Sequence, residues 1–222
     1  MPKHLIFDSG PLINFAMNGL LPVFIKLKKE FKGNFLITKE VKQEVIDTPL
    51  EIKRFELEAL QMKKLFEENI IQHANITEKQ VDELRNKREE IMRIANSTFF
   101  SNKKAIHLLD KGECAALALS LILKEPNVLV IDERTTRMLC EAPENLRKLL
   151  EKKLHTKVEV NKKNYEFFNK FKIIRSAELA YIACKKSLCE IKDPKIQEAM
   201  LFGLKFRGCS ISEEEIISMK RL

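Results

Sequence analysis

Two short apolar runs in this chain end directly at an aspartate, and this pattern restricts the available folds more than any other feature. His4-Leu5-Ile6-Phe7 runs into Asp8-Ser9-Gly10-Pro11, after which Leu12, Ile13, Phe15 and Ala16 carry the spacing of a helix. Residues 127–131, a more apolar run, end at Asp132-Glu133 and lead into a helical stretch over 134–140. Continuous apolar runs of this length read as buried strands, and recurrence at i, i+3 and i+4 reads as helix. A third unit repeats the arrangement, with 34–37 as strand, Thr38 as N-cap and a helix through Val41, Val45 and Ile46. Strands alternating with helices imply an α/β domain with a mainly parallel sheet.

The rest of the chain is largely helical in pattern. Residues 51–70 and 77–97 spell two charged amphipathic helices, with a capping box at Thr77-Glu78-Lys79-Gln80. They are expected to form a helical insertion, 51–103, across one side of the sheet. Leu108-Leu109-Asp110 leads through Lys111-Gly112-Glu113 into an alanine-rich helix, whose small residues on both faces predict close packing on the sheet. Residues 156–160, with alternating Val158 and Val160, are expected as a fourth strand. From Ser176 onward the pattern is purely helical, over 177–186, 194–206 and 212–219, the last with a capping box at Ser212 and Glu215. The expected organisation is therefore a domain over 1–160 and a helical appendage over 161–222.

Ligands of parallel α/β sheets bind outside the carboxyl ends of the strands. Asp8 and Asp132 leave the sheet from that edge, Glu44 follows the second strand, and Glu113 lies in the first turn of the alanine-rich helix. Carboxylates drawn together there would raise one another's pKa unless a cation were present. A hard divalent metal with oxygen ligands resolves that conflict. Each acid also has an ordinary reading. Asp8 could cap the helix near Pro11, Asp110 and Glu113 fit a capping box, Asp132 could cap 134–140, and Glu44 could be an exposed helical acid. Their joint occurrence at strand–helix junctions is the signal.

Other chemistries lack their residues. The sequence has no Gly-x-x-x-x-Gly-Lys, Gly-x-Gly-x-x-Gly, Gly-x-Ser-x-Gly or His-Glu-x-x-His motif. A haloacid-dehalogenase-like phosphatase would need a second aspartate where Gly10 stands. His4, His73, His107 and His155 have no zinc-type spacing. The five cysteines include no Cys-x-x-Cys and are expected as reduced, mostly buried thiols. The longest nearly apolar run, 115–123, is about half of the ~20 residues a membrane span needs. Asp8 comes too early for a secretory leader, so a cytoplasmic protein without membrane contact is expected. Net charge is +8, and residues 144–175 hold ten basic groups against four acids. That stretch is either a solvated face or a surface for phosphate backbones.

Four segments taken in order now acquire a common meaning. They are Leu5-Ile6-Phe7-Asp8-Ser9-Gly10-Pro11-Leu12, Ile37-Thr38-Lys39-Glu40-Val41-Lys42-Gln43-Glu44-Val45, Lys111-Gly112-Glu113-Cys114-Ala115-Ala116-Leu117-Ala118 and Val128-Leu129-Val130-Ile131-Asp132-Glu133-Arg134. Together, over roughly residues 3–160, they resemble the PIN-domain family of metal-dependent ribonucleases. The resemblance implies a three-layer α/β/α fold around the sheet. It implies that Asp8, Glu44, Glu113 and Asp132 are the acidic quartet holding one or two Mg²⁺ or Mn²⁺ ions, with Ser9 supporting the first aspartate. Two positions depart from the commonest family pattern: Asp110 competes with Glu113 as third acid, and Glu133 replaces a more frequent aspartate as an outer partner. The implied activity is hydrolysis of RNA phosphodiester bonds by an endoribonuclease, and Lys148, Lys152 and Lys153 are expected to grip the phosphates. Two further roles fit the resemblance. One is a weakly catalytic RNA- or partner-binding PIN module, and the other is the toxin of a toxin–antitoxin pair with an antitoxin-like protein partner. A homodimer is expected by family analogy.

Overall fold

Leu5 and Phe7 of the first strand enter one hydrophobic cluster and Ile6 enters another, so the strand is covered on both faces. The same alternation recurs at Phe35, Leu36 and Ile37 of the second strand. Side chains two apart on a strand share a face, and with both faces buried the result is three layers, α/β/α.

A computed structural model describes residues 2–221; Met1 and Leu222, the outer limits of the two expected domains, lie outside it. The chain runs β1 (His4–Phe7), α1 (Ser9–Met17), α2 (Leu21–Glu30), β2 (Asn34–Ile37) and α3 (Lys39–Lys42). After a π-turn over Gln43–Asp47 come α4 (Glu56–Glu67), β3 (Gln72–His73), α5 (Glu78–Ala95), β4 (Phe99–Ser101) and β5 (Lys104–Ala105). Then follow α6 (Lys111–Ile122), β6 (Asn127–Val130), α7 (Arg134–Glu141), α8 (Pro143–Leu154), β7 (Val158–Val160) and α9 (Tyr165–Phe168). The chain closes with β8 (Ile173–Ile174), α10 (Ser176–Lys185), α11 (Ile196–Phe206) and α12 (Glu213–Arg221).

The central sheet has five strands in the order β3-β2-β1-β6-β8, and every adjacent pair is parallel. From β1 the chain steps outward to β2 and β3, then returns to the other side of β1 as β6 and β8. Strand order therefore reverses between β1 and β6, and a crevice opens outside their carboxyl ends. On one face, Phe7, Phe15, Phe24 and Phe35 pack with ring centroids 5.0–5.3 Å apart. On the other lies α6, buried nearly all round from Cys114 to Leu119 because its alanines let the helix approach both the sheet and α5.

Three expectations change. Residues 51–103 are not purely helical: β3 is the edge strand of the central sheet, and β4 pairs with β5 in a hairpin. Asn102 and Lys103 take positive φ at its turn, as a tight two-residue hairpin requires. The strand expected at 156–160 does form, but β7 pairs antiparallel with β4 in a separate small sheet. The strand beside β6 in the central sheet is β8, aligned Leu129 with Ile173. The segment after 160 is not peripheral, because β8 belongs to the sheet and Ala177, Leu201, Leu204 and Ile216 share the cluster of Phe7 and Phe24.

That shared core has a measurable consequence. Leu201 is fully buried, so Leu201→Ala is expected to cost about 2–5 kcal/mol and to move one cooperative urea transition of the whole chain. A separate early transition, with the remainder melting as in wild type, would mean that the C-terminal helices are an independent unit.

Candidate metal centre

The crevice at the strand reversal is acidic. Asp8 directly follows β1, and its amide extends the ladder to the Val130 carbonyl at 3.0 Å. Asp132 comes two residues after the end of β6. Both are buried, at 6% and 2% exposure. A cavity of about 500 Å³ opens there, lined by all four expected acids, Asp8, Glu44, Glu113 and Asp132. Ser9, Asp110 and Glu133 border it as well.

Each acid is placed by its own local structure. Asp8 occupies the N-cap position of α1 without a well-formed side-chain capping bond, and its carboxyl borders the cavity. Asp132 does not cap α7; Glu133 does, accepting from the Thr136 amide at 2.7 Å. The Asp132 carboxylate instead accepts from Asn14 Nδ2 at 2.6 Å, from the Ser176 amide at 2.8 Å and from the Ser176 hydroxyl at 2.7 Å. It thus sits at the amino end of α10, where the helix dipole favours negative charge. Glu113 accepts from the Asp110 amide at 2.8 Å and from the Thr136 hydroxyl. Glu44 is exposed at the cavity mouth against the start of α6, and a Cβ on Gly112 would come within 2.7 Å of its Oε1. Glycine at 112 makes room for that carboxylate.

Asp110 and Glu113 both border the cavity but differ in orientation. The Asp110 side chain is 85% exposed and pairs with His107 at 3.0 Å, whereas Glu113 turns inward. Burial raises Glu113 to about 7, with further upward push from Asp8 and Glu133, against the pull of its Thr136 and Asp110 hydrogen bonds. Burial likewise raises Asp8 to about 6, and Glu44 and Asp132 push it the same way while the Ser9 and Gly10 amides oppose them. These are the signs of like charges confined in a poorly solvated space.

Among the described residues, no three His, Cys, Asp or Glu side chains stand together as a ready-made metal site. Their oxygens are turned to protein partners: Asn14 and Ser176 hold Asp132, and Thr136 and the Asp110 amide hold Glu113. The donor set nevertheless suits a divalent cation. It consists of carboxylate oxygens, the ligands hard cations take, and burial pushes two of its members toward protonation.

The expected basic surface lies elsewhere. Lys148, Lys152 and Lys153 are exposed on α8, and none lines the cavity. Part of the basic stretch around them is occupied within the protein. Arg147 pairs with Glu144 and Glu151, Arg175 is buried between Glu178 and Glu215, and Lys170 covers the Phe167 ring at 3.8 Å. Sequence reasoning missed the neutral partners Asn14, Thr136 and Ser176 and the cavity-lining Arg207. Nothing local marked Asn14 or Thr136.

A parallel sheet covered on both faces, with acids gathered where its strand order reverses, defines a nuclease-type α/β/α architecture. A family model described as PIN domain matches residues 4–148, and the chain belongs to the PIN-domain family. No curated protein and no solved structure matches the chain significantly. No helix among the described residues is long and apolar enough to cross a membrane.

The raised acids fix a pH dependence. A carboxyl whose folded pKa lies above its unfolded value stabilises the fold at low pH, and that contribution is lost as pH rises through the folded pKa. In EDTA the melting temperature is therefore expected to fall by several degrees between about pH 5 and pH 8. Asp8→Asn should flatten the fall, and Mn²⁺ should raise the melting temperature more at pH 8 than at pH 5. A metal-free profile that rises across this window in wild type would contradict the electrostatics described here.

Proposed function

We propose that the chain is a metal-dependent endoribonuclease, with Asp8, Glu44, Glu113 and Asp132 holding Mg²⁺ or Mn²⁺. The observation that carries this reading is that these acids, from four separate segments, line one cavity at the carboxyl edge of the sheet. When bound, a divalent cation lowers the pKa of a water toward neutrality and offsets the charge of a phosphodiester. The protein's own contribution is placement. Asn14 and Ser176 fix the Asp132 carboxylate, and Thr136 links Glu113 to Glu133, the N-cap of α7. Burial keeps Asp8 and Glu113 poised to give up protons as positive charge enters the site. Ser9 and Glu133 support the acids from the cavity wall, and Asp110 holds Glu113 through its backbone. Cleavage then proceeds by hydrolysis, with no side-chain nucleophile.

A second reading, a PIN module controlled by a protein partner of the antitoxin kind, is favoured by an apolar groove beside the cavity. That groove of about 420 Å³ is lined by Met17, Ile52, Phe55 and Met62, and shares Ile13 and Glu44 with the acidic site. A partner seated there would stand at the mouth of the site.

Asp8→Asn should reduce Mn²⁺-dependent cleavage of a labelled RNA to the level seen in EDTA, with circular dichroism unchanged. Glu113→Gln should do the same, whereas Asp110→Asn should keep most of the activity because its side chain faces solvent. Wild-type rates in Asp8→Asn, with contaminating nuclease excluded, would remove the assignment. Reversal of Lys152 and Lys153 to glutamate should weaken RNA binding and flatten its salt dependence if α8 carries phosphates; unchanged binding across salt concentrations would confine recognition to the cavity rim.

A further inference from the structure

The segment that closes the acidic cavity lies beyond the 4–148 family match. α11 ends at Phe206 with Arg207 as its C-cap, and Gly208, at φ +114°, turns the chain in a conformation that suits glycine. The strand of chain that follows is fastened to the site. The Ser210 amide donates to the Asp132 carbonyl at 3.1 Å, and the Ser210 carbonyl accepts from Arg175 at 2.8 Å and from Arg137 at 3.1 Å. Arg207 and Gly208 are thereby held against the cavity, and both line it.

Arg207 is the basic residue among that cavity's lining groups, which otherwise include six acids and several apolar or neutral side chains. Its side chain is exposed, and its guanidinium has no hydrogen-bond or ion-pair partner among the described residues. Its neighbour Lys205 is engaged, paired with Glu213 at 2.6 Å. Phe206, one residue before Arg207, is 77% exposed, the most exposed large apolar side chain among the described residues. Its ring is not loose: it stacks on Phe202 at 6.0 Å, and Lys205 lies 5.8 Å from its centroid. An exposed, braced aromatic ring next in sequence to an unpaired guanidinium matches what single-stranded nucleic acid offers, a base to stack and a phosphate to pair.

We infer that the end of α11 is a nucleotide subsite for single-stranded RNA, in which Arg207 binds a phosphate at the rim of the acidic cavity and Phe206 stacks the adjoining base. This rests on the nuclease reading and adds to it a binding site for the strand on residues outside those the family model matches. Arg207 also supplies positive charge where a polyanion must approach a cluster of carboxylates. The C-terminal helices thus do more than fill the core, because they carry one wall of the substrate path.

The test uses the full chain carrying Asp8→Asn, which should bind without cutting, and a fluorescein-labelled single-stranded oligouridylate read by anisotropy. Arg207→Ala should weaken binding roughly tenfold at low salt and lower the slope of log affinity against log salt by about 0.7, one phosphate contact. Arg207→Lys should keep the slope. Phe206→Ala should weaken binding by roughly fivefold to a hundredfold with no change in slope. Both side chains are exposed, so melting temperatures should not move. Duplex RNA should bind more weakly than the single strand, and neither substitution should matter for it. If the Asp8→Asn parent binds the oligomer and neither Arg207→Ala nor Phe206→Ala changes its affinity, the subsite is overturned while the nuclease reading stands. If the parent fails to bind and the wild-type chain fails to cleave RNA in Mn²⁺, the nuclease reading itself falls, and the subsite with it.

Discussion

The carboxylate of Asp132 accepts hydrogen bonds from Asn14 on α1 and from both the amide and the hydroxyl of Ser176 at the head of α10. At 2% exposure this acid relies on protein donors, and hydrogen bonds to a charged group contribute roughly 1.5–3 kcal/mol each. The rest of the working end depends on that arrangement. Asp132 follows the strand next to β1, so fixing it fixes its spacing from Asp8. The Ser210 amide binds the Asp132 backbone, so the chain after α11 takes its position from the same residue. One acid thereby draws the first helix, the tenth helix and the far C-terminal loop to a single sheet edge.

Charge and burial pull in opposite directions at this edge. Most proteins place acids in water, but here the sheet topology holds Asp8 and Asp132 in the interior, and the alanine-rich α6 brings Glu113 beside them. Neutral donors relieve part of the strain, and the Ser9 and Gly10 amides relieve some at Asp8. What remains appears as carboxyls held above their ordinary range. A cavity built this way keeps Asp8 and Asp132 where bulk water screens them little, so a cation or a phosphate entering it meets a stronger field than at the surface.

Much of the site was legible because acids at strand ends are a positional signal. Asp8 and Asp132 follow apolar runs directly, and a parallel sheet sends such residues to one edge. Thr77 and Ser212 were legible as caps because a capping box is local in sequence, and both capping interactions form. The two-residue strands β3 and β8 were illegible for the opposite reason. They are too short to carry a period, and they exist because the sheet edges beside β2 and β6 have free backbone groups to pair. Residues 156–160 had a strand's pattern, yet pattern does not name a partner, and β4 won the pairing. Asn14, Thr136 and Ser176 are ordinary polar residues on helices, and only tertiary packing aims them at acids. Arg207 was overlooked although Gly208 marked a helix end, because a helix end acquires meaning only from what it faces.

The π-turn after α3 carries a consequence for any alignment of this region. The Thr48 amide reaches back to the Gln43 carbonyl at 2.9 Å, five residues away, so this turn holds one residue more than an α-helical turn. The extra residue shifts the phase of the helix: Val45 and Ile46, adjacent in sequence, both go inward, while Glu44 just before them faces the cavity. A chain with an unbroken α-helix here would need a single-residue gap to superpose. Without that gap, a comparison would slide the helix by about 100° and bring the neighbour of Glu44 to the mouth of the site in its place.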